Sequence, residues 1–321
     1  MPPSLNTQTI VAFIWDFDKT LTPGYMQDPL FAEYGVDPKS FWQEVNGLVD
    51  FYKSRNLFVS KDTAYLGHIL SYIRDGHFPD LTNEKLRELG ARVPLAPGMP
   101  DFMAKTHEFI AGDQRYVHHG IAVEHYIVST GLRQMIEGNA IRQSVDGVWA
   151  CELLSDAPSK GYLESMQDGQ ACKDAGVLTG IGYTLDNTTK TRAVFEINKG
   201  VNFEPDIDVN ARMSHDERRV PISNMIYIAD GPSDVPVFSV INQYGGKTLG
   251  VYTGGFAHGN YDGVQQLVQD GRVHQAAQAD YSTDTEAYNW LMHSLKQVSD
   301  GICARRENSI ANIIAPAGHK V

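Results

Sequence analysis

The sequence is poor in cysteine and has no long hydrophobic run. Its three cysteines, Cys151, Cys172 and Cys303, are odd in number and lie far apart in a chain of 321 residues. This spacing provides neither a CxxC metal motif nor a set of paired disulfides. No apolar stretch approaches the roughly 20 residues of a membrane-spanning helix, and residues 1–10 contain no basic segment ahead of an apolar one. We therefore expect a soluble, cytoplasmic protein without a membrane partner.

Positive charge is also scarce. The chain has 27 Lys and Arg residues against 39 Asp and Glu residues, a formal net charge of −12. Because attraction to the phosphate backbone dominates nucleic-acid binding, DNA and RNA are not expected as partners. An acidic protein also repels anionic substrates, so a phosphate ester would need local positive charge or a metal ion. The apolar content of 42% indicates a globular core rather than disorder.

Four short apolar runs are typical of strands that are buried on both faces of a parallel sheet. They are residues 10–15, 126–128, 225–229 and 248–252. Three of them end in a polar cluster, and ligands of open α/β sheets bind beyond the carboxyl ends of the strands, so these clusters are expected to converge. The predicted fold is α/β, with a doubly wound, mostly parallel sheet flanked by helices. The last 20 residues show no strong periodicity.

The segment between the first two predicted strands carries helical patterns and no strand candidate. Three helices are predicted there: Lys39 to about Lys53 after the N-cap Asp37, Ser60 to Asp75, and a shorter one from Thr82 to Gly90. We interpret residues 22–96 as a helical cap that is inserted into a core formed by residues 1–21 and 97–321. The boundaries are Pro23-Gly24 and the proline-containing stretch 94–100.

The first chemical motif is Asp16-Phe17-Asp18-Lys19-Thr20 at the end of the first strand. Two aspartates at positions i and i+2 can place both carboxylates near one metal ion. One carboxylate can attack phosphorus to form an aspartyl phosphate, and the other can protonate the leaving alkoxide and later deprotonate water. A lone acidic pair at a strand end is more often a turn or cap, so the motif gains its weight from the buried strand and from the motifs downstream.

The second motif is Ser129-Thr130-Gly131, which follows the second strand and precedes a helix predicted over residues 132–141. A hydroxyl followed by backbone N–H groups entering a helix is suited to phosphate oxygens. Standing alone, such a cluster is more often a plain helix N-cap.

A lysine is the third element, because phosphoryl transfer needs positive charge to offset the oxygens of the phosphoryl group. Lys190 lies in the first turn of a helix predicted from Thr188 to Lys199. Lys160, in a loop after Pro158, is the alternative. The residues alone leave this choice open.

The fourth element is Asp230-Gly231-Pro232-Ser233-Asp234 after the strand at 225–229. Two carboxylates four residues apart can supply a magnesium ligand and an acceptor for the waters of the ion, because magnesium prefers oxygen ligands. The alternative is an Asp-Gly turn followed by a helix-capping aspartate.

Over residues 10–285 the chain resembles the haloacid dehalogenase superfamily, and its phosphoserine-phosphatase-like branch in particular. The resemblance consists of the DxDxT signature at 16–20, the strand ending in Ser129, the lysine before the last motif, and the acidic motif at 230–234. It implies a Rossmann-like core with a cap, and magnesium as the cofactor. Two departures are Lys19, where glycine is commonest, and a long loop at 200–221.

The resemblance also implies roles for individual residues. Asp16 corresponds to the nucleophile and Asp18 to the general acid and base, while Ser129 and Lys190 would bind the phosphoryl group. Magnesium would be held by the Asp16 carboxylate, the Asp18 backbone carbonyl and Asp230, with Asp234 close by. Thr20, Thr130 and Gly131 would complete the substrate site.

An aspartate at position 18 favours a phosphatase or a phosphotransferase, since dehalogenases of the superfamily lack this acid and its transport ATPases have threonine there. We expect a hydrolase, a magnesium-dependent phosphatase that acts on a small phosphorylated metabolite. A phosphotransferase that uses the same intermediate and a catalytically idle phosphometabolite-binding protein are the alternatives. The identity of the ester and the oligomeric state stay open.

Overall fold

A central β-sheet organises the protein. The computed structural model describes residues 8–156, 158, 160–163, 176–204, 206–254 and 259–314. Seven strands are found in these ranges: β1 (Ile10–Trp15), β2 (Ala122–Leu132), β3 (Gly147–Leu154), β4 (Gly180–Tyr183), β5 (Met225–Ala229), β6 (Lys247–Tyr252) and β7 (Gln275–Gln278). Their order in the sheet is β4-β3-β2-β1-β5-β6-β7. All neighbours are parallel except β3 and β4, which are antiparallel. The predicted mostly parallel α/β sheet is confirmed.

Helices flank this sheet and fill the connections. They are α1 (Asp28–Tyr34), α2 (Pro38–Lys53), α3 (Ala64–Arg74), α4 (Asn83–Gly90), α5 (Asp101–Ala111), α6 (Gln114–His118), α7 (Arg133–Gly138), α8 (Lys190–Lys199), α9 (Val235–Gln243), α10 (Tyr261–Gln269) and α11 (Glu286–Ile314). The predicted N-cap of α2 is present, since the Asp37 carboxylate accepts from the Ser40 N–H at 3.0 Å. None of the helices in the described ranges combines the length and apolar content needed to cross a membrane.

Strand β1 lies at the centre of the sheet, between β2 and β5. Trp15 at its end pairs with Ile127 on one side and Ile228 on the other. Neighbours on both edges and helices on both faces leave β1 almost no solvent contact. The continuous apolar run of β1 follows from this position, because no face of the strand is left for polar side chains.

The second motif differs from its prediction. Strand β2 does not end before Ser129 but continues through Ser129, Thr130 and Gly131 to Leu132, which pairs with Cys151 of β3 across an irregularity in the register. The helix predicted over residues 132–141 is therefore shorter, since α7 spans Arg133–Gly138. The polar cluster lies in the irregular part of the strand, between Val128, which pairs with Trp149, and Leu132, which pairs with Cys151.

Four helices, α1 to α4, lie between β1 and residue 94, in the segment that we interpret as a cap. The last of these, α4, crosses α7 of the predicted core at very short range. A Cβ atom on Gly90 would lie 2.0 Å from the Met135 carbonyl oxygen, and one on Gly138 would lie 2.0 Å from the Arg87 carbonyl oxygen. Helix α4 is thus fixed directly to the core. The division into core and cap at 22–96 stays a prediction.

His125 of β2 is buried under the sheet as a neutral imidazole. Its Nδ1 accepts from the Trp15 indole N–H at 3.2 Å, and its Nε2 lies 2.9 Å from the Thr106 hydroxyl. Because that hydroxyl donates to the Met103 carbonyl, the imidazole carries its proton on Nε2. A second proton on Nδ1 would break the bond from Trp15. Burial, with a smaller effect of His107, lowers the pKa of His125 to about 3.

We therefore expect His125 to make the protein sensitive to acid. The imidazole takes up a proton near pH 6.5 in the unfolded state and near pH 3 in the folded state. The stability that the neutral imidazole contributes is therefore complete above pH 6.5 and is lost as the pH falls toward 3. The free energy of unfolding, measured with urea, should be lower at pH 5 than at pH 8, and His125 should account for about 2 kcal/mol of the difference. His125→Gln should reduce that loss, and His293→Gln, at an exposed site, should not. An unchanged pH dependence in His125→Gln would contradict this account.

Candidate active site

The motifs predicted from the sequence meet at the carboxyl edge of the three central strands. Trp15 pairs with Ile127 of β2 and Ile228 of β5, and Asp16 follows it directly. The Asp16 N–H donates to the Ile228 carbonyl at 2.9 Å. Ser129 and Asp230 each stand two residues beyond those partners, one on either side of Asp16, as expected for the ends of adjacent parallel strands.

Lys190 joins two of the acidic side chains. Its Nζ lies 2.8 Å from Asp16 Oδ1 and 2.7 Å from Asp234 Oδ1, and the lysine is 1% exposed. The first turn of α8 directs this side chain inward, whereas Lys160 is exposed. The structure therefore places Lys190, of the two candidates, beside Asp16.

The buried charges of Lys190, Asp16, Asp230 and Asp234 shift one another's pKa values. Burial by itself would lower the pKa of Lys190, but Asp16 and Asp234 raise it above its ordinary value, so the ammonium keeps its proton. Burial raises the pKa of Asp16 to about 6, with Lys190 opposing the rise and Asp234 adding to it. Burial and the charges of Asp16 and Asp234 likewise raise the pKa of Asp230 to about 7. A positive ion would relieve this repulsion.

Asp18 differs from Asp16 in its surroundings. Its Oδ1 accepts from the Met26 N–H at 2.8 Å, and no cation pairs with it among the described residues. Burial, followed by the negative charge of Asp16, raises the pKa of Asp18 to about 8. The carboxyl group therefore holds a proton at neutral pH, which is the state that a general acid requires.

Three carboxylates are close enough to share one metal ion. Asp16, Asp230 and Asp234 each offer an oxygen, and these oxygens lie within 4.8 Å of one another. Hard oxygen donors are those that magnesium prefers, so the set fits Mg²⁺. Asp234 already accepts from Lys190 and Tyr227 on Oδ1 and from Ser233 on Oδ2. Asp16 and Asp230 are therefore better suited than Asp234 to contact the metal ion directly. Asp234 would lie close to the ion without being a direct ligand. The Asp18 carbonyl as a ligand stays a prediction.

The predicted substrate-binding residues surround this centre. Ser129 Oγ accepts from the Gly131 N–H at 3.0 Å, and the Thr130 carbonyl accepts from the Tyr65 hydroxyl of α3 at 2.7 Å. Thr20 Oγ1 is buried and has no hydrogen-bond partner within the described ranges. Its backbone carbonyl accepts from the Tyr281 hydroxyl at 2.9 Å. The roles of Thr20, Ser129, Thr130 and Gly131 in binding stay predictions.

Two supporting residues could not be predicted from the sequence. The Tyr227 hydroxyl donates to Asp234 Oδ1 at 2.5 Å from inside the apolar run of β5. Asn260 Nδ2 donates to the Asp230 carbonyl at 2.8 Å, and Asn260 Oδ1 accepts from the Thr253 N–H at 3.0 Å. A tyrosine within a buried strand and an asparagine 30 residues after Asp230 carry no recognisable signal in the sequence.

A cavity of about 200 Å³ lies next to Asp18. Thr130 and Gly131 share its core wall with Asp18, and residues from the 25–65 segment form the opposite wall. The cavity therefore lies between the carboxyl edge of the sheet and the segment interpreted as a cap.

Comparisons with known proteins give one clear relative. A Borreliella burgdorferi protein described as uncharacterized is 38% identical over 292 residues, which are 90% of this chain and 97% of that protein. No protein-family model matches the chain.

The solved structures that match are more distant. The HAD family hydrolase t0658 of Salmonella enterica serovar Typhi is 13% identical, with 85% of this chain and 68% of that chain covered and a TM-score of 0.48. A phosphoserine phosphatase solved as a phospho-aspartyl intermediate analogue is 13% identical, covering 84% and 93%, with a TM-score of 0.45. A probable phosphoserine phosphatase of Vibrio cholerae is 12% identical, covering 93% and 68%, with a TM-score of 0.48. Nothing about activity follows from scores this low.

The sheet itself and the placement of the motifs on it agree with the resemblance seen in the sequence. Asp16 and Asp18 follow the central strand, Ser129 lies near the end of β2, Asp230 follows β5, and Lys190 reaches Asp16 from α8. The chain belongs to one family with the Borreliella burgdorferi protein.

Proposed function

We propose that the protein is a magnesium-dependent phosphatase that hydrolyses a small phosphate monoester through an aspartyl phosphate on Asp16. The observation that carries this proposal is the buried contact of Lys190 with Asp16 and Asp234, next to Asp18, whose pKa is raised to about 8 by burial. A carboxylate, a fixed cation and a carboxylic acid are the groups that an in-line phosphoryl transfer needs.

In the first step, a carboxylate oxygen of Asp16 forms a bond to phosphorus while the bond from phosphorus to the ester oxygen breaks. Asp18 gives its proton to the leaving alkoxide. Lys190 offsets the negative charge on the phosphoryl oxygens, and the Ser129 hydroxyl would donate to one of them. Asp16 and Asp230 would hold a magnesium ion, which would supply further positive charge to offset the negative charge of the phosphoryl group.

In the second step, water attacks the phosphorus of the aspartyl phosphate. Asp18, now a carboxylate, accepts a proton from that water, and the bond between Asp16 and phosphorus breaks. The products are inorganic phosphate, the free Asp16 carboxylate and a protonated Asp18. The cavity of about 200 Å³ favours the leaving group of a small metabolite as the substrate. It does not favour a phosphorylated side chain on the surface of a folded protein.

The test is release of inorganic phosphate from 4-nitrophenyl phosphate and from a panel of phosphorylated metabolites. We expect turnover with Mg²⁺, loss of at least about 100-fold after EDTA treatment, and recovery when Mg²⁺ is restored. Ca²⁺ should restore little, because it favours longer bonds and higher coordination numbers. Circular dichroism before and after EDTA provides the control for folding.

Three outcomes would contradict the proposal. Turnover that is indifferent to EDTA would exclude the metal-dependent mechanism. Transfer of phosphate to an added alcohol in preference to water would identify a phosphotransferase with the same intermediate. Binding of phosphate esters without any turnover would identify an idle binding protein.

A further inference from the structure

Asn260 stands at the N-cap position of α10 but does not use its side chain to cap that helix. Asparagine is among the preferred N-cap residues, because its side-chain oxygen can accept from a backbone N–H of the first helical turn. Within the described ranges the Asn260 side chain makes no such bond, and it is turned instead toward the loops that follow β5 and β6. Helix α10 forgoes a stabilising bond in this arrangement. A side chain that is held away from its usual partner indicates another role.

The amide of Asn260 joins the ends of two neighbouring strands. Its Nδ2 donates to the Asp230 carbonyl at 2.8 Å, and its Oδ1 accepts from the Thr253 N–H at 3.0 Å. Asp230 follows β5 and Thr253 follows β6, which is the parallel neighbour of β5. Because the Thr253 N–H can only donate, it fixes which end of the amide is the oxygen. The Nδ2 group is thereby directed at Asp230.

A second, longer contact reaches the carboxylate. Asn260 Nδ2 lies 3.3 Å from Asp230 Oδ2, and in the described part of the chain Asp230 Oδ1 has no hydrogen-bond partner. The two neighbouring carboxylates are held differently, since Lys190 donates to both Asp16 and Asp234. Among the described residues, Asp230 has no ion-pair partner, and Asn260 is the single side chain that donates to it. One carboxylate oxygen therefore contacts the amide, and the other is left open.

These bonds restrict the rotation of the Asp230 side chain. Without them, the negative charges of Asp16 and Asp234 would favour rotamers of Asp230 that point away from both. The amide of Asn260 opposes this rotation because it holds Oδ2 on the side of the loop after β6. An oxygen of Asp230 thus stays within 4.8 Å of oxygens of Asp16 and Asp234. Groups that hydrogen-bond to a metal-binding carboxylate orient it in this way and raise its affinity for the ion.

We propose, on the basis of the magnesium-dependent function proposed above, that Asn260 is a positioning residue that sets the affinity of the site for Mg²⁺ by holding Asp230. It acts through a metal ligand and contacts neither Asp16 nor Lys190. Its substitution should therefore weaken binding of the metal and leave the chemistry on the bound ester unchanged.

Direct titration with a metal tests this role without any substrate. Metal-free protein is titrated with Mn²⁺, a divalent cation that also suits carboxylate ligands, and the free ion is followed by its EPR signal. Mg²⁺ is then measured by competition. Asn260→Ala should raise the Kd for both ions about 10- to 100-fold, the usual effect of removing a group that orients a metal ligand. With 4-nitrophenyl phosphate, the Mg²⁺ concentration for half activation should rise by a similar factor, while kcat at saturating Mg²⁺ should stay within about twofold.

Asn260→Ser separates this role from a purely structural one. Serine is also a preferred N-cap residue, but its hydroxyl lies one bond closer to the backbone than the amide groups of asparagine. It can therefore cap α10 but cannot bridge Asp230 and Thr253. We expect the urea midpoint of Asn260→Ser to equal or exceed that of the wild type, while its Kd for Mn²⁺ rises as in Asn260→Ala.

Asn242→Ala is the matched control. Asn242, near the end of α9, is half-buried like Asn260 and has both ends of its amide bonded. Its Nδ2 donates to the Arg272 carbonyl at 2.7 Å, and its Oδ1 accepts from the Thr248 hydroxyl at 2.9 Å. Thr248 lies near the start of β6, at the opposite edge of the sheet from Asp230. This variant should lower the urea midpoint and leave the Kd for Mn²⁺ within about twofold of the wild-type value.

Three results would overturn the inference while the proposed function stands. The first is a wild-type Kd for Mn²⁺ in both Asn260→Ala and Asn260→Ser. The second is an equal loss of affinity in Asn242→Ala, because affinity would then follow the stability of the fold and not the orientation of Asp230. The third is a lower kcat with an unchanged Kd, which would place Asn260 on the bound ester. If the wild-type protein bound neither Mn²⁺ nor Mg²⁺, the metal-dependent function itself would be refuted, and this inference with it.

Discussion

Replacing Asp16 with asparagine should lower kcat/KM by more than about 10³-fold while the protein stays folded. The amide keeps the size of the carboxylate and an oxygen that can accept from Lys190, but it cannot attack phosphorus. It also removes one negative charge from a group in which burial and mutual repulsion raise the pKa of Asp16 and Asp230. The loss should therefore concern chemistry and not stability. The measurement is phosphate release together with the free energy of unfolding.

Two other aspartates make this experiment specific. Asp101→Asn, at an exposed position in the first turn of α5, should leave activity unchanged. Asp18→Asn should lower the rate by about 10²–10⁴-fold, the usual contribution of a general acid and base. Mass spectrometry of Asp18→Asn enzyme that is quenched with acid during turnover should find phosphate on the peptide that contains Asp16. If Asp16→Asn retained more than a few per cent of the activity, the covalent mechanism would be wrong.

Replacing Lys190 with alanine should reduce both activity and stability. The lysine is the cation that Asp16 and Asp234 share in a buried site, so its removal leaves two carboxylates without compensation. Breaking a buried ion pair on one side costs about 3–5 kcal/mol. Urea unfolding is the measurement, with phosphate release alongside it.

Lys160→Ala is the control, because Lys160 is exposed and is the other lysine that the sequence allows. It should have little effect on either quantity. Adding Asp234→Asn to Lys190→Ala should restore part of the stability but none of the activity, since one uncompensated charge is removed and the cation is still missing. Lys190→Arg should lose less activity than Lys190→Ala, although the wider guanidinium does not reproduce the geometry. A larger loss in Lys160→Ala would refute the placement of Lys190.

The sequence predicts those parts of the fold that are buried on all sides. The run 225–229 coincides with β5, and 10–15 with β1, because a central parallel strand must be apolar at every position. The polar motifs after these strands converge for a geometric reason, since the carboxyl ends of neighbouring parallel strands meet at one edge of the sheet. The sequence is therefore sufficient to group Asp16, Ser129 and Asp230 in one site.

The sheet edges lack such a signal. Strand β4 is mostly exposed, and β7 consists of glutamines and alanines, which do not favour strands. These two segments form strands because they pair with β3 and β6, and not because their composition favours a strand. Helix α11 was also not predicted. Its buried face includes Ser294 and Ser299, and these polar residues interrupt the apolar periodicity by which a helix is recognised.

The close crossing of α4 and α7 determines where this protein can be recombined with its relatives. Gly90 and Gly138 let two backbones meet with no side chain between them, and any larger residue at either position would push the helices apart. A cap segment taken from a relative and ending before Thr82 would leave this crossing intact. One that carried its own version of α4 would also need glycine opposite Gly138. Chimeras are therefore expected to fold when the junction lies between α3 and Thr82, and to fail when it lies inside α4.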